Sequence, residues 1–203
     1  MKKTIFIYLA VITYLSFSPV FSQENKIGGQ LELGYGFGID GDFNSAQIFI
    51  TPLYKQNEQL SFGLGVGFKY YYDPSPIFNL TKRAQRLTNF PVYAVVNYNI
   101  PIGRMFRPFL NLKTGYGISS QKLHFDDNIN RPIEGKVDLH NTGGFFISPA
   151  VGVAYSINNK NTLQLSLAYD LQKLNGDLSN DKGEKYHSSY NYENISLRLG
   201  LSF

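Results

Sequence analysis

The chain has 203 residues, enough for one domain, and no cysteine, which excludes disulfides, thiolate metal sites, a cysteine nucleophile and lipoprotein anchoring. A mean hydropathy of −0.20 excludes a polytopic helical membrane protein, and a net charge of +4 without a long basic run argues against a nucleic-acid partner. Neither value excludes a membrane β-barrel, whose strands alternate lipid-facing and lumen-facing residues and so average to a low hydropathy.

Lys2 and Lys3 form a positive n-region, and an apolar stretch runs from Thr4 to about Phe17. Pro19 breaks it, and Val20-Phe21-Ser22 supplies residues tolerated at a cleavage site. Residues 1–22 therefore read as a signal peptide, with a mature domain over 23–203 starting at Gln23. No later apolar run approaches the roughly 20 residues a spanning helix needs.

The mature chain repeats segments of alternating polarity, the period-2 signal of strands with two unlike faces. The first is expected at 28–39, with Leu31, Leu33, Tyr35, Phe37 and Ile39 on one face and Gln30, Glu32 and three glycines on the other. The second, at 45–55, turns Ile48 and Ile50 outward. In the third, at 59–72, Phe62, Leu64, Val66 and Phe68 oppose three glycines and Lys69, and in the fourth, at 89–100, Phe90, Val92, Ala94 and Val96 oppose Tyr93, Val95 and Asn97. The fifth, at 107–120, sets Leu110, Leu112, Tyr116 and Ile118 against Asn111 and Lys113. The sixth, at 143–157, sets Phe145, Ile147, Val151 and Val153 against Ser148, Ala150 and Gly152. The seventh, at 161–173, sets Leu163, Leu165, Leu167 and Tyr169 against Gln164, Ser166 and Asp170. The last, at 190–203, sets Ile195, Leu197, Leu199, Leu201 and Phe203 against Ser196, Arg198 and Gly200.

Three features favour a barrel over a two-sheet sandwich. The less apolar face is rich in Gly, Ala and Ser with isolated charges, which suits a tight lumen. Connections alternate: 56–58, 101–106 and 158–160 are short, while 73–88, 121–142 and 174–189 are long, as periplasmic turns and external loops do in bacterial barrels. Aromatics gather at strand ends. Tyr70–Tyr72, Phe90, Tyr116, Phe145, Tyr169, Tyr190 and Tyr192 fall near one rim, and Tyr54, Tyr98, Phe109, Tyr155 and Phe203 near the other. The fold expected is all-β: an eight-stranded antiparallel up-and-down transmembrane barrel. Its last strand pairs with its first because lipid tolerates no unpaired edge.

With this architecture and the C-terminal segment Ile195-Ser-Leu-Arg-Leu-Gly-Leu-Ser-Phe203, the mature chain resembles the small outer-membrane barrels. That group includes the OmpA transmembrane domain and OmpX, and the chain looks most like the outer membrane protein beta-barrel domain proteins of Bacteroidetes. The resemblance implies the bacterial outer membrane, lipid and lipopolysaccharide neighbours, and recognition of Phe203 by the barrel-assembly machinery. It assigns no activity, and no peptidoglycan-binding domain is expected after the last strand.

An eight-stranded barrel is just wide enough to be filled by side chains. Glu32, Lys69, Lys113, Asp170 and Arg198 are therefore expected to pair as a lumen network, the alternative being a narrow ion path. The loop after strand five continues to alternate, with Leu123 and Phe125 opposite Val137 and Leu139. It is expected to form a raised two-stranded ribbon with edges open to strand addition by a partner. Lys82, Arg83 and Arg86 could contact lipopolysaccharide phosphates.

The chain reads as a non-enzyme. His187, Ser189 and Glu193 alone resemble the His, Ser and acidic residue of eight-stranded lipid A deacylases. His124 and His140 share a loop with Asp126 and Asp127, but spacing defines no set of ligands, so no metal and no cofactor is expected. A structural or adhesion-like surface role through the external loops leads, followed by porin-like passage of small solutes and then lipid hydrolysis. The surface partner is unknown, nucleic acid is not expected, and the chain is expected to be a monomer.

Overall fold

In the computed structural model the described residues are 26–39, 43–72, 86–103, 105–119, 121–125, 137–158, 161–179 and 185–203. The expected signal peptide lies outside them, as do Lys82, Arg83, Asp126 and Asp127. The strand segments are β1 (Ile27–Gly38), β2 (Asn44–Lys55), β3 (Leu60–Tyr72), β4 (Arg86–Asn99), β5 (Phe106–Ser119), β6 (Gln121–Phe125), β7 (Val137–Ser156), β8 (Thr162–Ser179) and β9 (Lys185–Ser202). Because β7 pairs with β5 and then with β6, those two are successive parts of one wall strand, and the wall has eight.

Each strand pairs antiparallel with its chain neighbour, and β1 pairs with β9 from Gln30↔Ser202 to Gly38↔Asn194, which closes the barrel. The seam continues to the last residue, where Gly29 and Phe203 exchange backbone hydrogen bonds of 2.9 and 3.0 Å. Bends at 56–59 and connections at 100–105 and 157–161 join strands at the end that holds the C-terminus.

The wall is apolar outside and polar inside, the inverse of a water-soluble protein. Leu33, Ile50, Leu64, Val66, Leu165 and Leu199 are exposed on the outer face, Leu64 by 73%. Gln30, Glu32, Gln47, Lys69, Lys113, Asp170 and Arg198 are buried within. The nine residues Ile195–Phe203 carry outward Ile195, Leu197, Leu199, Leu201 and Phe203. That is about the 9–11 residues a tilted strand needs to cross a bilayer.

Beyond this belt the polarity inverts. On β8 the outward series Leu165, Leu167, Tyr169, Leu171 gives way to Lys173 and Asn175, while Leu174 between them is buried. This inversion explains the main departure from the expected elements. The 174–189 stretch is not a long loop: β8 runs to Ser179 and β9 starts at Lys185. Outward apolar residues mark strands only where lipid surrounds them, and past Leu171 that marker moves to the inner face.

The upper parts of β6, β7, β8 and β9 pair in succession into a four-stranded blade on one side of the barrel mouth. The expected two-stranded ribbon is therefore corrected: β8 covers the second edge of β7. A bulge between Asn141 and Gly143 admits one extra residue into β7, with Gly143 in the left-handed region at φ 103°. A Cβ at Gly143 would lie 2.0 Å from the Gly117 carbonyl oxygen, so only glycine fits. In this register Leu139 pairs with Leu123 on one side and Leu178 on the other, and Leu178 with Tyr186.

Candidate functional site: the barrel lumen and the external blade

Two charge clusters fill the lumen. Asp170 on β8 accepts hydrogen bonds from Gln47 Nε2 at 2.8 Å, from Ser196 Oγ at 2.6 Å and from Arg198 Nη2, and its other cationic neighbour, Lys69 Nζ, lies 3.3 Å away. Arg198 also donates to Ser148 Oγ at 2.8 Å. Toward the short-turn end, Lys113 Nζ lies 3.0 and 2.8 Å from the two Glu32 carboxylate oxygens and donates to Asn111 Oδ1 at 3.2 Å. Asn111 donates to Asn97, Asn97 to Gln30 at 3.4 Å, and Gln30 to Gln164 at 2.7 Å, which carries the network across the barrel. The structure thus brings Glu32, Lys69, Lys113, Asp170 and Arg198 together in two adjoining clusters of three cations and two carboxylates.

The surplus cation is placed against aromatic faces. Phe49, Tyr93 and Phe146 form a buried cluster between the charges. The Arg198 guanidinium carbon is 4.8 Å from the Phe49 ring centre and Lys113 Nζ 5.3 Å from it, while Lys69 Nζ is 4.9 Å from Phe146. Desolvated cation–π contacts of this kind are worth about 2 kcal/mol. They offset part of the cost of a guanidinium whose Nε and Nη1 have no hydrogen-bond partner among the described residues. Alternation assigns Tyr93 to the lumen, whereas Phe49 and Phe146 escape a reading that looks for polar residues inside; their parity with Gln47 and Ser148 was the available signal.

At the blade end Tyr71, Leu87 and Leu174 pack together with Phe43 and Tyr192 as an apolar cap over the polar lumen. Tyr71 and Tyr192, expected on the outer rim, are therefore lumen residues, with ring centres 5.5 Å apart. Phe109, expected on the opposite rim, is also buried inside. Strand parity overrules position along the strand: all three alternate with outward neighbours. The remaining rim aromatics include Tyr35, whose hydroxyl accepts from Tyr72 at 2.7 Å and from Asn44 at 3.1 Å, and the pair Phe106 and Tyr155 at 5.0 Å.

Glycine makes this packing possible. A Cβ at Gly65 would fall 2.5 Å from Tyr93 Cζ. Gly65→Leu is expected to destabilise the barrel by about 1–3 kcal/mol through overpacking, read as a lower temperature for loss of the compact form on unboiled gels. An unchanged transition would show that the Tyr93 ring moves aside freely.

The other expected site residues are less concentrated. Arg86 opens β4 opposite Tyr72, at the same end as the blade. Phe203 closes the seam, its ring so near Gly29 that a Cβ there would lie 2.7 Å from it. His187, Ser189 and Glu193 all lie on β9, whose pairing with β8 is regular. At about 3.4 Å per residue, Glu193 lies about 14 Å from Ser189 and about 20 Å from His187. The carboxylate cannot orient that imidazole, and it instead accepts a hydrogen bond from Tyr169 Oη. The strand does not assemble the hydrolase-like trio.

No protein-family model and no curated protein matches the chain. Solved structures do. OprG from Pseudomonas aeruginosa superposes with a TM-score of 0.58 at 12% identity, covering 87% of this chain and 94% of that one. Neisserial surface protein A gives 0.54 at 12%, with 87% and 94% covered. The outer membrane protein W of E. coli gives 0.51 at 13%, with 88% and 96% covered. With its closed eight-stranded wall and apolar outer belt, the chain has the fold of the small outer-membrane β-barrels.

Proposed function

We propose that the chain is a bacterial outer-membrane barrel, exported by a leader cleaved after Ser22, with a structural or surface-interaction role exercised through its external blade. The observation that carries this reading is the change of the outer face past Leu171 on β8 and Glu193 on β9: the same strands that present leucines to lipid go on to present Lys173, Asn175, Ser189 and Asn191 to water. Among the described residues the wall is extended over β6 to β9, which favours a lateral display surface over a symmetrical pore mouth. Lys82, Arg83 and Arg86 are the residues that would meet lipopolysaccharide phosphates.

An epitope inserted between Ser179 and Lys185 is expected to be labelled by antibody on intact cells. Labelling only after permeabilisation would sink the reading. Porin-like passage is disfavoured by the fully buried charge clusters and apolar cap. Refolded protein in planar bilayers is accordingly expected to give no steady openings, and steady openings would restore the ion-path reading.

A further inference from the structure

The outer face of the wall is not smooth. An open, apolar groove of about 750 Å3 crosses it. Its upper bank takes one residue from each of five successive wall strands: Val96 of β4, Leu112 of β5, Pro149 of β7, Tyr169 of β8 and Ile195 of β9. Leu110, Val151 and Leu167, paired directly across β5, β7 and β8, form the lower bank. All of these side chains are exposed outward, within the lipid-facing belt. Pro149 stands at the centre, where its compact ring replaces the longer side chains on either side. Without an N–H it cannot donate to β8. The β7–β8 ladder accordingly pairs Ile147 with Leu171 and Ala150 with Ala168 and skips Ser148 and Pro149 between them.

The groove is slanted. Val96 lies near the short-turn end of β4, at Asn99, whereas Ile195 lies just below Glu193, where β9 turns polar. Four interstrand spacings of about 4.8 Å make the groove about 19 Å long. Strands tilted by about 35–45° give it a vertical reach of about 11–13 Å. That fits inside one leaflet, about 15 Å deep in a hydrocarbon core of about 30 Å. The banks are two residues apart along each strand, about 7 Å, room for one hydrocarbon chain and too narrow for the convex wall of a second barrel to fill. At the upper end Tyr169 Oη donates to Glu193, and past Leu171 the exposed Lys173 stands on the same face of β8.

We propose that this groove seats one acyl chain of an outer-leaflet lipid A molecule, with a phosphate of that lipid against Lys173. The proposal rests on the outer-membrane placement given above. Hydrocarbon is as apolar as leucine, so burial alone does not retain a chain here. Fit does: a seated chain meets wall atoms along its length, whereas a tail lying across the banks leaves gaps that forfeit dispersion contacts. A charge-assisted bond from Lys173 to phosphate holds the outer end.

Mature full-length protein would be placed in phosphatidylcholine nanodiscs with limiting lipid A and released into the gas phase for native mass spectrometry. One lipid A per chain is expected to remain bound. Val151→Trp, which fills the middle of the groove, should lower retention at least about threefold by removing dispersion contacts. Leu64→Trp, exposed on β3 outside the groove, should leave it unchanged. Both variants add an apolar ring to a lipid-facing position, so both should keep heat-modifiable migration. Lys173→Ala should also lower retention, and Lys173→Arg should restore it. In wild-type protein, lipid A carrying a photoactivatable acyl chain should label β5, β7 and β8 more than β1 to β3, a measurement that needs no variant. No retained lipid A, equal loss in the two tryptophan variants, retention indifferent to Lys173, even labelling around the belt, or crosslinks from Val151 to a second copy would each overturn the proposal. Nanodiscs impose no cellular orientation, so failed antibody labelling on intact cells would remove the outer-membrane placement without altering lipid retention, and the two failures are distinguishable.

Discussion

Asp170→Asn is expected to lower the stability of the barrel by about 3–5 kcal/mol, the usual cost of leaving buried charge without its partner. Asp170 is fully buried and compensates both Lys69 and Arg198. The other lumen carboxylate, Glu32, is held by Lys113. The neutral amide keeps the size and some of the hydrogen bonds, so the loss is electrostatic and not a cavity. Urea unfolding in phospholipid vesicles, followed by circular dichroism and gel migration because the chain has no tryptophan, measures it. Adding Lys69→Met should recover part of the loss, since one of the two stranded cations is then gone. An unchanged midpoint for Asp170→Asn would mean that water reaches the cluster, and the closed-lumen reading would fall with it.

Leu199→Arg addresses the outer face. Leu199 lies between Leu33 and Leu165 in the middle of the apolar belt, and all three are about half exposed. An arginine at the bilayer midplane of a barrel costs about 2–4 kcal/mol, falling to about 0–1 kcal/mol near the interfaces. Asn191→Arg, on the same face of the same strand but past the polarity inversion, should therefore change vesicle stability little. The contrast between the two variants locates the lipid boundary on β9. Equal, small effects would show that the belt is not in hydrocarbon.

Much of the wall is legible in the sequence because side-chain alternation is a local property of an extended chain. Glu32, Lys69, Lys113, Asp170 and Arg198 are each assigned to the inner face by their own neighbours, without knowledge of any partner. The same rule misleads where the surroundings change. Tyr71, Phe109 and Tyr192 sit near strand ends and resemble rim aromatics, yet their parity places them inside. The upper halves of β8 and β9 look like loop when outward leucines are taken as the mark of a strand.

Alternation and turn spacing by themselves determined the eight wall strands, their order and the two faces of each, because every one of those features is set by residues a few positions apart. The tertiary structure alone decided which charges meet: Lys69 of β3 reaches Asp170 of β8, and Lys113 of β5 reaches Glu32 of β1, because the stagger of the closed barrel sets contacts across the lumen.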